Sequence, residues 1–496
     1  MSRRWLFADQ LGPHFLGAAD APGDDGRERV LLVESKAAFR RRRYHRAKAH
    51  IILSALRHRA AELGDRCDYV RADGYRDAID GVGGSLSVID PTSFAARRLV
   101  RDVGAEVLPA RGFITTQGDF DAWASGRKQL RQEDFYREAR RRTGILMAGD
   151  EPEGGRWNFD ADNRLPPPRG ATTLGLPEPR WPLEDDIDAQ VRADLDQWES
   201  EGIEFSGADG PRRFAVTRDE ALVALDDFIE HRLADFGPYE DAALVGDWAM
   251  AHSLLSVPMN LGLLDPREAI EAVVEAWARG SVSLSSAEGF VRQVMGWRDY
   301  VWHLYWHFGP DYVDSSNSLD ARQPLPEWFR DLDAHSVQAR CLRTALGEVH
   351  ERGWNHHILR LMVLGNWALQ RAWDPREVTE WFTANYVDAY PWVMAANVVG
   401  MALHADGGRM ASKPYAAGGA YIKRMTDFCG GCTYRPDRRV GAQACPFTAG
   451  YWAFIARHEQ AWARHPRMAQ PVRGLARLSD REELLAQEAA RGPAAP

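Results

Sequence analysis

The chain has 496 residues, 45% hydrophobic and 27% charged, and its 62 Lys+Arg against 71 Asp+Glu give a formal net charge of −9. This is globular composition on a chain long enough for several cores, and no run of about 20 apolar residues is present to span a bilayer. Asp9 interrupts the opening MSRRWLFADQL before an apolar segment of signal-peptide length can form, and five cysteines are too few for a disulfide framework, so the expected setting is cytoplasmic.

From the N-terminus, short apolar runs alternate with helical periodicity: Trp5–Ala8, Val30–Val33, Ile51–Leu63, Leu86–Ile89, Phe94–Val103 and Val107–Leu108. The alternation predicts a parallel sheet covered by helices on both faces. No G-x-G-x-x-G follows any of these strands, which argues against the usual dinucleotide domain, though ligands can still bind at the carboxyl ends of such strands. Arg40–Arg43, with His45, Arg46 and Lys48 behind them, read either as a solvated helix face or as a phosphate contact. Between about Gly149 and Asp185 glycine, proline and charge dominate. That is a long connector, and Trp157 and Phe159 within it predict that it is pinned to a domain. The expected organisation is a Rossmann-like α/β domain over 1–125, a connector over 126–215 and a helical domain over 216–496.

Beyond Thr217 nearly everything reads as helix. Thr217 and Glu220 form a capping box, and Asp265-Pro266 and Asp374-Pro375 each place an N-cap before a proline at the first helical position. Apolar residues recur at helical spacing in Phe290, Val291, Val294 and Val301, and again in Ile358, Leu361 and Met362. His356 and His357 lie side by side on an expected helix Trp354–Gln370, so they point about 100° apart. They are either ordinary histidines or a proton donor with its neighbour. Cys429-x2-Cys432-x12-Cys445 offers three thiolates from one turn-rich segment, and Cys341 is the natural fourth ligand. The spacing suits a structural zinc or an iron–sulfur cluster, against a bland reading of buried inert thiols. The final ARGPAAP is expected to fray.

The order of FADQL, EGGRWNFDADNR, HSLLS, GFVRQVMGWRDY, WNHHILRLMVLGNW, NVVGMALHADGG, SKPYAAGGAYIKRM and the four cysteines resembles the iron–sulfur bacterial cryptochromes and photolyases, from near the first strand to about Arg467. The resemblance implies an antenna domain joined to a helical domain that binds FAD and opens toward UV-damaged DNA, in a monomer, with a [4Fe-4S] cluster on Cys341, Cys429, Cys432 and Cys445. It implies a phosphate-holding turn at Ser253, Leu255 and Ser256, with Arg298 facing the cofactor and Trp297 the substrate cavity. Asn397 matches the segment packed on the flavin ring, and Lys413 and Tyr415 the loop closing the cavity. Asp241 matches an acidic residue near the histidines. His357, with His356 beside it, matches the pair that protonates the lesion in (6-4) photoproduct repair. Asp9, Gln10 and Glu34 match positions that hold a 6,7-dimethyl-8-ribityllumazine antenna. Read from the residues alone, HSLLS is equally an N-cap and Trp297 equally a core residue.

Three positions depart from the family pattern. Asp333 stands where an electron-relay tryptophan is usual, with Trp328 five residues earlier. Trp381 keeps the flavin-proximal relay position but is followed by Phe382, where a tyrosine can occur, and Met394 replaces a glutamate often found near the flavin. The expected relay therefore runs through Trp373 or Trp328, or cellular reductants replace it. The function implied is a (6-4) DNA photolyase working by electron transfer from excited reduced FAD. A cryptochrome photoreceptor without repair activity is the alternative, and an iron–sulfur DNA-binding protein with a relic flavin fold is a third reading.

Overall fold

The computed structural model describes residues 2–18 and 22–496. Its sheet is β1 (Ser2–Leu6), β2 (Val30–Ser35), β3 (Cys67–Ala72), β4 (Ser85–Ile89) and β5 (Glu106–Leu108), parallel throughout and ordered β3-β2-β1-β4-β5. Val30 and Leu32 pack on Ile51 and Ala55 of the helix Arg46–Leu63, while Trp5, Leu31, Val33 and Val88 pack the other face with Ala78 and Val100. Cover on both faces is why the central strands are almost continuously apolar. β3 has no apolar run to reveal it. It is a half-exposed edge strand whose Asp68 binds Arg3 and, at 2.8 Å, Arg29.

The connector is pinned at Phe159 and Asn163. The buried Phe159 donates its N–H to Glu288 Oε2 at 2.9 Å, and Asn163 Nδ2 donates to Ser285 O at 3.0 Å, both on the helix Leu284–Val291. The start of the basic run is solvated, with Arg40, Arg41 and Arg43 exposed. Arg40 pairs with Asp73 next to β3, Arg42 with Glu380, Arg43 with Asp331, and Arg46 with Asp196 and Glu199, while Lys48 enters the helical half. From Arg42 onward these charges stitch the sheet domain to the rest of the chain. The same seam closes where Leu11 N donates to Leu261 O at 3.1 Å beside Gly262, whose φ of +70° and a Cβ that would sit 2.6 Å from Asp9 O both demand glycine.

In the helical half the expected caps form at Arg218–His231, Pro266–Ala278 and Pro375–Asn385. Three stretches are π-helical: Arg292–Arg298, Leu359–Gly365 and Ala395–Ala402. Such wider turns re-aim side chains and recur at functional sites. The helix expected over Trp354–Gln370 instead begins at His357, with Trp354–His356 leading into it. The chain end does not fray. Trp328 Nε1 donates to Pro493 O at 2.9 Å, and Gln338 and Ala339 donate backbone N–H groups to Pro496 O at 2.6 and 2.9 Å, giving the start of the helix Arg340–Arg352 the acceptors it lacks. Among the described residues no helix is long and apolar enough to cross a membrane.

Candidate functional site

Because the helix starts at His357, the two histidines face different surroundings. His356 is buried and stacks on His252, ring centroids 4.5 Å apart and planes within 18°. Neither nitrogen of His356, nor His252 Nε2, has a hydrogen-bond partner, and Trp354 Nε1 beside them is likewise unpaired. Burial, and then the neighbouring histidines and Arg360, push His252 down to about 3 and His356 well below its ordinary value, so both are neutral imidazoles. His357 differs: its side chain is exposed. Burial and then the Arg360 charge push it down to about 4, a shift that solvent reaching the open ring moderates.

Arg360, on the π-helical turn, joins the histidines to the rest of the site. It grips Asp388 through Nη1 at 2.8 Å and Nη2 at 3.0 Å, donates through Nε to Asn355 O at 2.7 Å, and lies 4.2 Å from the Tyr386 ring. Asp388 also accepts from Ser256 Oγ at 2.7 Å, and its carbonyl accepts from Asn260 Nδ2 at 2.8 Å. Burial works against the carboxylate, but Arg360, Ser256 and the Lys48 charge hold Asp388 below the usual range. The turn carrying Ser253 is thereby tied to the histidines. Its Leu254 has a φ of 58°, unusual for leucine, Ser253 Oγ accepts from Leu255 N at 3.4 Å, and Leu255 is fully buried. Arg360 and Asp388 were not singled out in the sequence; an arginine at i+3 from a paired histidine was the available signal. Removing one partner of a buried pair typically costs about 3–5 kcal/mol, and Asp388→Ala is expected to lose that much, read by urea unfolding.

Other expected residues fall elsewhere. Arg298 turns into the seam, donating to Gly112 O at 2.7 Å and lying over Phe113 and Trp392 at 4.5 and 5.1 Å; burial lowers it to about 10. Trp297 is half-buried, edge-on to Tyr300 at 6.2 Å. Asn397 sits on the third π-helical turn, its Nδ2 on Val393 O at 2.9 Å. Asp241 is raised by burial, with the Arg164, Asp160, Arg292 and Arg424 charges acting on it; Tyr415, 38% exposed, is also raised by burial, with Arg164 and Asp160 among the charges near it. Lys413 is exposed beside Tyr415.

The strand-end trio separates as well. Gln10 is consumed structurally, its Nε2 donating to Ile89 O at 3.1 Å. Glu34, 2% exposed, accepts both Arg57 Nε at 3.0 Å and Nη2 at 2.9 Å, Arg71 Nε at 3.1 Å and the Tyr69 hydroxyl, which leaves it no capacity for a ligand. Asp9 is partly exposed, accepts from Thr92, and is raised by burial; Tyr75, Tyr44 and Tyr390 lie near it, the Tyr390 hydroxyl unpaired.

Cys341, Cys429, Cys432 and Cys445 are free thiols lining one small pocket with Ile422, Phe428 and Phe447. Burial, and then the other thiols, push Cys341 well up and Cys429 to about 12, so these sulfurs ionise together only around a cation. A Cβ on Gly419 would lie 2.8 Å from Cys445 Sγ, which keeps room beside that sulfur. Among the described residues no three of the sulfurs lie within 4.8 Å of one another. From Trp381, whose Nε1 donates to Phe329 O at 3.1 Å, rings continue through Phe329 at 4.4 Å to Trp373 at 4.6 Å and then the half-buried Trp328 at 6.2 Å.

Residues 4–203 match the family profile described as deoxyribodipyrimidine photo-lyase-related protein. The chain is 39% identical to a (6-4) photolyase of Agrobacterium fabrum over 98% of both proteins. Its fold is similar to the crystal structure of a bacterial class III photolyase from Agrobacterium tumefaciens, with a TM-score of 0.55 at 19% identity and 86% of each chain covered. The chain therefore belongs to the deoxyribodipyrimidine photolyase-related family.

Proposed function

We propose that this protein is a light-dependent DNA repair enzyme of the (6-4) photolyase kind, acting as a monomer on UV-damaged DNA in the cytoplasm. The observation that carries this is the exposed His357 next to the buried, stacked His356 and His252, in which both nitrogens of His356 and Nε2 of His252 have no hydrogen-bond partner among the described residues. Buried polar groups without partners are few in folded proteins, and several in one neighbourhood fit a polar ligand. Ser253, Leu255, Ser256 and Asn397, with the Arg360–Asp388 pair, would hold FAD. Bound in reduced form, it supplies one electron to a damaged pyrimidine under light. His357 would then donate a proton to the lesion and recover it, while His356, neutral and stacked, fixes its backbone.

Four thiolates around a single zinc, each about 2.3 Å from the metal, would crowd within about 4 Å of one another. The wider spread here fits a [4Fe-4S] cluster on Cys341, Cys429, Cys432 and Cys445. Asp9 and Tyr390 would hold a ribityllumazine antenna, with Gln10 and Glu34 shaping the domain around it. The 39% identity to a (6-4) photolyase favours repair over signalling. The deciding assay is illumination of oligonucleotides carrying either a (6-4) photoproduct or a cyclobutane dimer. Restoration of the first in light and not in darkness is expected; no restoration of either by fully reduced protein supports the photoreceptor.

The ring series from Trp381 fits a relay displaced from the usual position. Trp381→Phe is expected to slow flavin photoreduction with an external thiol by at least about tenfold, leaving repair by chemically reduced protein unchanged; fast photoreduction in that variant places the relay elsewhere.

A further inference from the structure

We propose that Lys48, contributed by the sheet domain, is a positioning residue for Asp388 in the candidate flavin site. Lys48 lies in the first turn of the helix Arg46–Leu63, is 3% exposed, and forms no ion pair among the described residues. Its ammonium donates instead to two backbone carbonyls of the helical half, Thr383 O at 2.7 Å and Ala389 O at 2.6 Å. Thr383 O belongs to the last turn of the helix Pro375–Asn385 and Ala389 O to the segment leading into the helix Pro391–Met394, so the two flank Asp388 along the chain. One buried side chain thus ties the end of that helix to the residue after Asp388, whose carboxylate holds Arg360 and Ser256.

A lysine without a carboxylate partner is an uncommon occupant of a protein interior, because desolvation disfavours the charge. Burial, then Arg42, push it down to about 7, with Asp388 and Glu380 opposing; the Tyr44 and Tyr390 rings flank it at 5.4 and 5.7 Å. A point charge carrying three donors is needed to take two carbonyls and still favour the Asp388 carboxylate from behind. Tyr390, next in the chain after Ala389, borders the space around Asp9. The lysine therefore stands between the two regions proposed to hold chromophores, and the basic run that anchors it acquires a purpose beyond joining domains.

The inference rests on the proposed flavin site, so its test has an arm that needs no flavin. In flavin-free full-length protein, Lys48→Met is expected to speed hydrogen exchange of the Tyr386–Met394 amides at least tenfold, with those of Pro266–Ala278 unchanged. Added FAD should then bind at least tenfold more weakly than to the parent. Lys48→Gln, which keeps two N–H donors without the charge, should recover part of the exchange protection, and it carries the test if the Met variant does not fold. Combining Lys48→Met with Asp388→Asn should weaken FAD binding no further than Asp388→Asn alone. Unchanged exchange in both Lys48 variants, or fully additive losses in the double variant, overturns the proposal. Parent protein that takes up no FAD contradicts the flavin site, while the exchange arm still decides on Lys48.

Discussion

His357→Ala is expected to reduce (6-4) repair by about 10²–10⁴-fold, the range spanned by positioned proton donors, while flavin content and the dark binding of damaged duplex stay close to the parent. The separation follows from geometry. His357 is exposed and, among the described residues, makes no side-chain hydrogen bond, so its loss opens no core cavity and breaks no buried pair. His356 is the contrasting case, since it is buried against His252 and its replacement should cost stability as well. With burial and Arg360 driving it toward about 4, the His357 imidazole is neutral at pH 7 in the free protein. A proton donor must therefore gain its proton in the complex, and the phosphates of bound DNA supply the negative charge that raises its pKa. Repair should accordingly fall as pH rises through that elevated pKa, and the residual rate of the alanine variant should lack this limb. Equal repair by the variant removes His357 from the chemistry.

Cys432→Ala is expected to leave little soluble, folded protein. Cys432 is only half-buried, so the substitution itself creates no cavity worth mentioning; any large loss has to come through the cluster proposed for the four sulfurs. Metal ligation in small structural sites contributes on the order of 10–16 kcal/mol, comparable with or larger than the whole stability of about 5–15 kcal/mol typical of a native protein. Here the ligands join the helix Arg340–Arg352 to the 429–445 segment, and Phe428 and Phe447 pack beside them. Iron analysis of the parent should give about four irons per chain. One zinc per chain and no iron would contradict the cluster, and a soluble variant with parental melting would show that the sulfurs bear no structural load.

What the sequence revealed follows from how each feature is encoded. Apolar runs expose strands buried on both faces, which is why β1, β2 and β4 were legible and the edge strand β3, half polar and paired through Asp68, was not. Proline and aspartate at helix starts marked Pro266–Ala278 and Pro375–Asn385 because capping is local chemistry. The π-helical turns have no such local mark: their spacing departs from 3.6 over a single turn, and one of them carries Arg360 to Asp388. Charge runs are ambiguous for a further reason. Arg42, Arg43 and Arg46 find their carboxylates hundreds of positions away or in the connector, so only the folded chain shows that the run is spent at the seam. Glu34 misleads in the same way, since Arg57, Arg71 and Tyr69 are close only across the sheet and its covering helix. The cysteines were the clearest signal, although spacing alone left zinc and a cluster both open.

Time-resolved emission of the reduced, FAD-loaded protein with and without lesion DNA decides whether charge crosses from flavin to damage in this cavity. Undamaged duplex should leave the excited-state lifetime unchanged, and a duplex with one (6-4) photoproduct should shorten it several-fold, in the parent and in His357→Ala alike. An identical lifetime on both duplexes, at concentrations where the damaged one is fully bound, would contradict electron transfer and with it the reading of this protein as a repair enzyme.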